Sequence, residues 1–210
     1  MKLEPSMLRL YAITDRGCIG ERDFLRCVEA ALRGGVTMLQ LREKGLDDRA
    51  LIEEARQVGA LCREYGVPLI VNDNYRAALE AGADGVHVGI EDAPVAEIRA
   101  LAGEDFLIGA TAKTVAQAQA ARAAGADYLG VGAVFPSPTK QNAVRITPAQ
   151  FREIKASVTL PAVAIGGITR ENLPTLRGLG ADGFAVVSAI FAQEDIEGAA
   201  RELRSLLSNF

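Results

Sequence analysis

Residues 69–92 read LIVNDNYRAALEAGADGVHVGIED and contain two short apolar runs, each followed by acidic residues. The runs Leu69–Val71 and Gly85–Val88 are typical of buried strands, and the stretch between them has the pattern of a helix. Two strands joined by a helix are normally parallel neighbours. Their C-terminal ends therefore meet, and we expect Asp73 and Asp92 to face one pocket.

Two hard carboxylates at one pocket suit a magnesium ion. Asp73 and Asp92, with the polar Asn72 beside them, match the oxygen ligands of a Mg²⁺ that keeps waters and binds substrate phosphates. The alternative is that each carboxylate caps a helix, one starting near Tyr75 and one before Pro94. The residues that follow the other strands decide between these two interpretations.

The same strand–helix pattern recurs along the whole chain. The predicted strands are Leu8–Ile13, Met38–Arg42, Leu69–Val71, Gly85–Val88, Phe106–Ala110, Tyr128–Gly132, Ala162–Ile165 and Gly183–Val187. The predicted helices are Arg22–Arg33, Asp47–Tyr65, Tyr75–Ala81, Pro94–Leu101, Thr114–Ala124, Pro148–Ala156, Arg170–Leu176 and Ile196–Leu207.

Eight such units with almost continuously apolar strands indicate an α/β fold, a (β/α)8 TIM barrel with a closed parallel sheet. We expect residues 1–210 to form a single domain of this type. An open doubly wound sheet is the alternative, but the even repeat and the lack of a Gly-x-Gly-x-x-Gly turn after the first strand argue against it.

Three helix-to-strand junctions share one sequence, Gly-Ala-Asp, at residues 82–84, 125–127 and 180–182. Glycine takes the left-handed conformation that often follows a helix. The small alanine then lets the chain turn back into the barrel.

The composition excludes several classes of protein. The chain is 49% hydrophobic with a net charge of −4 and no basic run, which argues against a nucleic-acid surface. No apolar stretch reaches membrane-spanning length, and the N-terminus lacks a signal-peptide pattern. Cys18, Cys27 and Cys62 show no metal-ligand spacing, so we expect reduced thiols and a cytoplasmic protein.

The predicted barrel places chemistry at the C-terminal ends of the strands. After the second strand, alternation points Gln40, Arg42 and Lys44 the same way. Two cations and an amide in one line suit a polyphosphate. The alternative is a charged loop in which Arg42 pairs with a nearby carboxylate.

Hydroxyl groups follow the fifth and sixth strands. Thr111 is placed to offer its hydroxyl to the pocket, whereas Thr114 is expected to cap the next helix. Ser137, Thr139 and Lys140 lie on a proline-containing loop and form a candidate anion-binding lid. A solvated turn would contain the same residue types.

The loops after the last two strands carry the signals of a phosphate site. Paired glycines at 166–167 and Ser188 stand where TIM barrels often bind phosphate through backbone N–H groups. Tight packing between strand and helix is the alternative. His87 lies inside a strand, and we interpret it as a core or pocket-wall residue rather than a catalytic base.

The strand ends lack a Cys/His pair, a Ser/His/Asp set and the paired acid and base of a glycosidase. This inventory favours a reaction that expels a phosphate leaving group with little proton transfer. Catalysis would then come from positioning and charge stabilisation.

With these residues in view, the sequence resembles the thiamine-phosphate synthase family. The resemblance extends over nearly the whole chain and is carried by Gln40–Lys44, Val71–Asp73, Gly85–Gly89 with Asp92, Asp127–Gly132 continuing to Thr139 and Lys140, and Ala164–Ile168. The family joins a hydroxymethylpyrimidine diphosphate to a thiazole phosphate and releases pyrophosphate. The resemblance implies that pyrophosphate leaves first, that the electron-rich aminopyrimidine stabilises the cation, and that the thiazole nitrogen then attacks.

The resemblance also implies a role for each candidate residue. Asp73 and Asp92 would bind Mg²⁺, and Lys140, Arg42 and Thr111 would be catalytic side chains at the diphosphate. The pyrimidine diphosphate would be held by Gln40, Arg42, Lys44, Asn72, Thr111 and Lys140. The thiazole phosphate would be bound by Ser137, Thr139, Gly167, Val187 and Ser188.

Three positions depart from the family pattern. Thr111 stands where the family commonly has Ser, and it keeps the hydroxyl. Ile90 replaces a common Gln, and Lys113 replaces a common His. These two changes affect the edge of the expected pocket and leave the metal ligands intact.

Two further functions stay open on the sequence. The related thiazole tautomerases share the barrel but use a His near position 113, which is absent here. A non-catalytic barrel that binds thiazole phosphate is the other alternative. In each case the expected partners are small molecules, with no nucleic acid or membrane, and a homodimer through the outer helices is a further expectation.

Overall fold

Eight parallel strands form a closed barrel in the computed structural model, which describes residues 1–136, 145–208 and 210. Each strand pairs with the next one along the chain, and the eighth pairs with the first. The strands are β1 (Leu10–Ile13), β2 (Met38–Leu41), β3 (Leu69–Asn72), β4 (Gly85–Val88), β5 (Leu107–Thr111), β6 (Tyr128–Gly132), β7 (Ala162–Ile165) and β8 (Gly183–Val186). The predicted α/β TIM barrel is confirmed, and the open sheet is excluded.

Helices follow the strands around the barrel. In the described residues they are α1 (Arg16–Ile19), α2 (Phe24–Arg33), α3 (Asp48–Glu64), α4 (Tyr75–Ala81), α5 (Val95–Ala102), α6 (Val115–Ala123), α7 (Pro148–Ala156), α8 (Ser188–Phe191) and α9 (Ile196–Leu207). The same residues include 3-10 helices at Pro5–Leu8 and Leu173–Leu176. None of the helices in this part of the chain is long and apolar enough to cross a membrane.

The predicted helix Arg170–Leu176 is wrong in type and length. Only a 3-10 turn forms at Leu173–Leu176, with Pro174 in its first turn. Proline has no N–H to donate and fits a helix only in its first turn, so the segment before it does not continue as an α-helix. The short helices α1 and α8 were not predicted, because four residues do not establish a period.

Apolar side chains of the described residues form two cores. One fills the inside of the barrel and includes Leu8, Tyr11, Met38 and Tyr128, all 1% exposed or less. The larger one lies between the outer surface of the strands and the helices. Because the first 3-10 helix contributes Leu8 to the inner core, the N-terminal end of the barrel is filled and the free space lies at the C-terminal end.

The Gly-Ala-Asp junctions stabilise the N-terminal end of the barrel. Their glycines have φ angles of +70°, +93° and +85°. Gly82 and Gly125 take this conformation just after the end of a helix, as predicted. Gly180 takes it four residues beyond the 3-10 helix that ends at Leu176. The aspartates have a role that the sequence did not reveal. Asp84, Asp127 and Asp182 each accept a hydrogen bond from the first or second backbone N–H of the preceding strand, at 2.8, 2.7 and 2.8 Å.

Candidate active site

One cavity of about 220 Å³ lies at the C-terminal ends of the strands. Its lining contains ten of the residues predicted for the site, namely Gln40, Arg42, Lys44, Asn72, Asp73, Asp92, Thr111, Gly167, Val187 and Ser188. The other three, Ser137, Thr139 and Lys140, lie outside the described residues. The structure therefore brings together side chains from the ends of β2, β3, β5 and β8 and from the loops after β4 and β7.

The two aspartates do not cap helices. Asn74 caps α4 by accepting a hydrogen bond from the backbone N–H of Ala77, and α5 starts after Pro94 without a side-chain cap. Asp92 instead accepts from the N–H of Gly89 at 2.7 Å. Both carboxylates line the cavity.

Asp73 has an unusual backbone and an unusual acidity. Its φ is +62°, a left-handed conformation that aspartate and asparagine tolerate better than most residues. Partial burial raises the pKa of its carboxyl to about 6, and a hydrogen bond to Asp92 and repulsion from it add to the rise. Asn72 and the Lys44 ammonium oppose the shift in part. Two carboxyl groups close enough to share a hydrogen bond favour either a shared proton or a bound cation.

Arg42 is held on two sides before any ligand arrives. Its side chain pairs with Asp15 at 2.8 Å, and both side chains are largely buried. Its backbone N–H donates to the hydroxyl of Thr14 at 2.9 Å. The predicted alternative, Arg42 paired to a carboxylate, is thus present, yet the side chain still lines the cavity. Asp15, which also caps α1, was missed by sequence reasoning.

The loop after β7 lies close to the loop after β6. Gly166 and Gly167 have φ angles of +103° and +63°. A Cβ atom at Gly167 would lie 2.2 Å from the carbonyl oxygen of Pro136, so only glycine fits there. Asn172 holds the loop by donating to the carbonyl of Gly167 at 2.8 Å. Ser188 also lines the cavity and is the first residue of α8.

A chain of hydrogen bonds crosses the inside of the barrel below the cavity. Gln40 Nε2 donates to the Tyr11 hydroxyl at 2.7 Å, and the hydroxyls of Tyr11 and Tyr128 are 2.8 Å apart. His87 Nδ1 lies 3.3 Å from the Tyr128 hydroxyl, and His87 Nε2 lies 3.1 Å from Thr111 Oγ1. His87 therefore lies in the wall of the cavity, and both of its ring nitrogens form hydrogen bonds.

The comparisons with known proteins agree with this geometry. The family model described as thiamine monophosphate synthase matches residues 10–190. The chain belongs to this family. The match covers every strand and every described residue that lines the cavity.

Individual relatives support the same assignment. A thiamine-phosphate synthase of Desulfitobacterium hafniense is 46% identical over 201 residues, 95% of this chain and 97% of the relative. One of Chloroflexus aurantiacus is 47% identical, over 95% of this chain and 93% of its own. The solved thiamine phosphate pyrophosphorylase of Pyrococcus furiosus superposes with a TM-score of 0.90 at 38% identity, covering 98% of both chains.

Of the departures from the family pattern, Lys113 and Ile90 lie at different places relative to the cavity. Lys113 lines the cavity beside Thr111, so it adds a positive charge at the edge of the site. Ile90 is 49% exposed and is not among the lining residues in the described ranges. Thr114 caps α6 as predicted, by accepting from the N–H of Gln117.

Proposed function

We propose that the protein couples 4-amino-2-methyl-5-hydroxymethylpyrimidine diphosphate to thiazole phosphate, forming thiamine phosphate and pyrophosphate. The family membership and the identity of 46–47% to two thiamine-phosphate synthases over 95% of the chain support this activity. The observation that carries the proposal is the composition of the cavity. Two facing carboxylates and three cationic side chains, those of Arg42, Lys44 and Lys113, line a cavity of about 220 Å³.

The diphosphate of the pyrimidine substrate would lie against the basic side of the cavity. Arg42 is suited to this because Asp15 holds one side of its guanidinium and leaves the other nitrogens for phosphate oxygens. Lys44, near Asp73, adds a second positive charge. We assign the pyrimidine ring to the cavity floor between Gln40 and Thr111, with Asn72 at its side and Lys140 as a further contact to the diphosphate.

Asp73 and Asp92 would hold Mg²⁺ between the protein and the diphosphate. The donor set fits this ion, since both ligands are hard carboxylates. Burial and the neighbouring Asp92 raise the pKa of Asp73, and a cation bound between the two carboxylates would offset that cost. No cluster of three or more acidic, His or Cys ligands occurs within residues 1–136, 145–208 and 210. The remaining positions would thus belong to water and phosphate oxygens. When bound, the ion would neutralise charge that develops on the leaving diphosphate.

The thiazole phosphate would bind on the opposite side of the cavity. We assign its phosphate to the backbone N–H groups near Gly167, Val187 and Ser188, because the first N–H groups of a helix have no partner within the helix. Their position after β7 and β8 matches the usual phosphate site of TIM barrels. We include Ser137 and Thr139 in this site as predictions, since both lie outside the described residues.

The chemistry requires charge stabilisation more than proton transfer. The thiazole nitrogen is an uncharged nucleophile and has no proton to lose. His87, the sole histidine of the sequence, already bonds to Tyr128 and Thr111. We therefore assign the catalytic role to Arg42, Lys140 and Thr111, which would stabilise the diphosphate as it departs.

The test is to incubate the purified protein with both substrates and Mg²⁺ and to follow pyrophosphate and thiamine phosphate together. We expect equal amounts of both products, and no thiamine phosphate when either substrate is omitted. A thiazole tautomerase or a non-catalytic binder would retain thiazole phosphate without releasing pyrophosphate, and that result would refute the proposal.

Three further expectations belong to the same proposal. Residues 1–210 would act as one barrel domain, the protein would work in the cytoplasm, and it would pair as a homodimer through its outer helices. Its partners would be the small-molecule substrates, without nucleic acid or membrane.

A further inference from the structure

The hydrogen-bond chain below the cavity links residues that are far apart in the sequence. Tyr11 and Tyr128, separated by 117 positions, meet through their hydroxyls at 2.8 Å, and both are fully buried. Their rings are also in edge-to-face contact, with centroids 6.0 Å apart. Because burial raises the pKa of both phenols well above the ordinary value, each keeps its proton in neutral solution.

Glycines in the neighbouring strands make room for this arrangement. A Cβ atom at Gly109 would lie 2.2 Å from the ring of Tyr128 and 2.5 Å from Nδ1 of His87. One at Gly130 would lie 2.9 Å from Cε1 of His87. Glycine at these two positions of the inner wall therefore leaves the space that the rings of Tyr128 and His87 occupy.

With Nε2 of Gln40 facing Tyr11, the protons in this chain can be placed by counting donors and acceptors. The amide nitrogen of Gln40 is a donor only, so the oxygen of Tyr11 accepts from it. If Tyr128 also donated to Tyr11, the proton of Tyr11 would have no acceptor among the described residues. A buried donor without an acceptor is strongly unfavourable. Tyr11 therefore donates to Tyr128.

The remaining protons follow from this direction. The Tyr128 hydroxyl donates a hydrogen bond to Nδ1 of His87, 3.3 Å away. The imidazole is then neutral with its proton on Nε2, which donates to Thr111 Oγ1 at 3.1 Å. Thr111 keeps a proton to donate into the cavity, and Gln40 keeps its carbonyl oxygen as an acceptor there.

We propose that Tyr128 is a positioning residue that acts through Tyr11 and His87. It fixes Gln40 as a hydrogen-bond acceptor and Thr111 as a donor at the floor of the cavity. This fixed direction of the hydrogen bonds makes the site select an aminopyrimidine over its 4-oxo analogue. The inference about selectivity rests on the proposed function.

The selectivity has a simple chemical basis. An aminopyrimidine presents an N–H donor where its oxo analogue presents a carbonyl oxygen. The carbonyl of Gln40 attracts the first and repels the second. Rotating the Gln40 amide would remove the repulsion, but every hydrogen bond in the chain would then have to reverse. His87 would carry its proton on Nδ1, and Thr111 would donate to Nε2. The tautomer of His87 therefore reports which way the Gln40 amide faces.

The first experiment reads the proton positions directly and needs no activity. Because the protein has a single histidine, ¹⁵N-histidine labelling gives one imidazole in the NMR spectrum. We expect a neutral ring with the proton on Nε2 in the ligand-free protein, and a mixture of tautomers in Tyr128→Phe. A proton on Nδ1, or a doubly protonated ring at neutral pH, would overturn the inference.

The second experiment measures selectivity. The ratio of kcat/KM for the amino substrate to that for its oxo analogue is compared in the parent, Tyr128→Phe and Tyr11→Phe. We expect the ratio to fall by about tenfold or more in both variants, as one hydrogen bond no longer fixes Gln40. Tyr75→Phe is the matched control, since its buried ring carries a hydroxyl bonded to Glu97 between α4 and α5, and it should leave the ratio unchanged.

The outcomes separate the inference from the proposed function. An unchanged ratio in both folded variants would refute the positioning role while leaving the coupling activity in place. A parent protein without any turnover would refute the proposed function, and the NMR result would still decide the proton arrangement. If Tyr128→Phe fails to fold, Tyr11→Phe breaks the chain at its other end.

Discussion

Asp73→Asn tests two effects of the paired carboxylates separately. One is the loss of folding stability caused by placing two negative charges together, and the other is the binding of Mg²⁺. The substitution keeps the shape of the side chain and removes its charge. Asparagine also tolerates the φ of +62° found at this position, whereas alanine would add backbone strain. The variant should be more stable than the parent in the absence of metal and should not respond to Mg²⁺.

The size of the effect follows from the acidity of Asp73. Its pKa of about 6 lies about two units above that of an ordinary aspartate, which sets an upper limit of about 2.7 kcal/mol. Because the carboxyl is only half-buried, solvent screening reduces this figure, and we take about 1 kcal/mol.

The sign of the effect depends on pH. A raised pKa means that the proton stabilises the folded state, fully below about pH 4, and that this contribution is lost as the pH rises through about 6. At pH 7.5 the parent therefore carries the cost of the ionised carboxylate and the variant does not. For a chain of this size about 1 kcal/mol corresponds to a Tm higher by about 2–4 °C.

The assay is thermal unfolding at pH 7.5, first with chelator and then with Mg²⁺. At ten times its dissociation constant the ion should stabilise the parent by about 1.4 kcal/mol, and it should leave the variant unchanged. Glu91→Gln is the control, since it removes an exposed negative charge next to Asp92 and should retain the response to Mg²⁺. An Asn variant that is still stabilised by Mg²⁺ to the same extent would refute the metal assignment.

Three other predictions test separate parts of the site. The affinity for Mg²⁺ should be about tenfold weaker at pH 5 than at pH 7, because a proton competes for Asp73; calorimetry that finds no pH dependence would contradict this. Asp15→Asn should raise KM for the pyrimidine diphosphate about tenfold with a smaller change in kcat, because Arg42 loses its partner; an unchanged KM in initial-rate assays would argue against that role. Lys140→Ala should slow pyrophosphate departure by about 10²-fold or more in single turnovers, with little change in thiazole phosphate binding, and unaltered single-turnover rates would remove Lys140 from the chemistry.

The barrel was predictable because its signals are local. Apolar strands such as Ala162–Ile165 and glycine-ended junctions repeat along the chain, and each unit can be recognised from a few consecutive residues. The exceptions are also local in origin. Pro174 converts the expected seventh helix into a 3-10 turn, and the four residues of α8 are too few to show a helical period.

The cavity was predictable to the extent that strand ends converge. Asp73 and Asp92 follow neighbouring strands, so their meeting could be expected from topology alone. The partners that orient the site could not be found in this way. Asp15 reaches Arg42 from another loop, and Tyr128 reaches Tyr11 across the barrel, and neither pair shares a spacing or motif in the sequence.

The central claim is that a metal-bound diphosphate is held between the paired carboxylates and the basic side chains of one cavity. Crystals grown with Mn²⁺ and pyrophosphate test it most directly through the anomalous signal of the metal. We predict a metal peak that contacts both Asp73 and Asp92, with pyrophosphate bound to the metal, Arg42 and Lys44. Metal bound elsewhere, or pyrophosphate in the cavity without contact to either aspartate, would contradict the account.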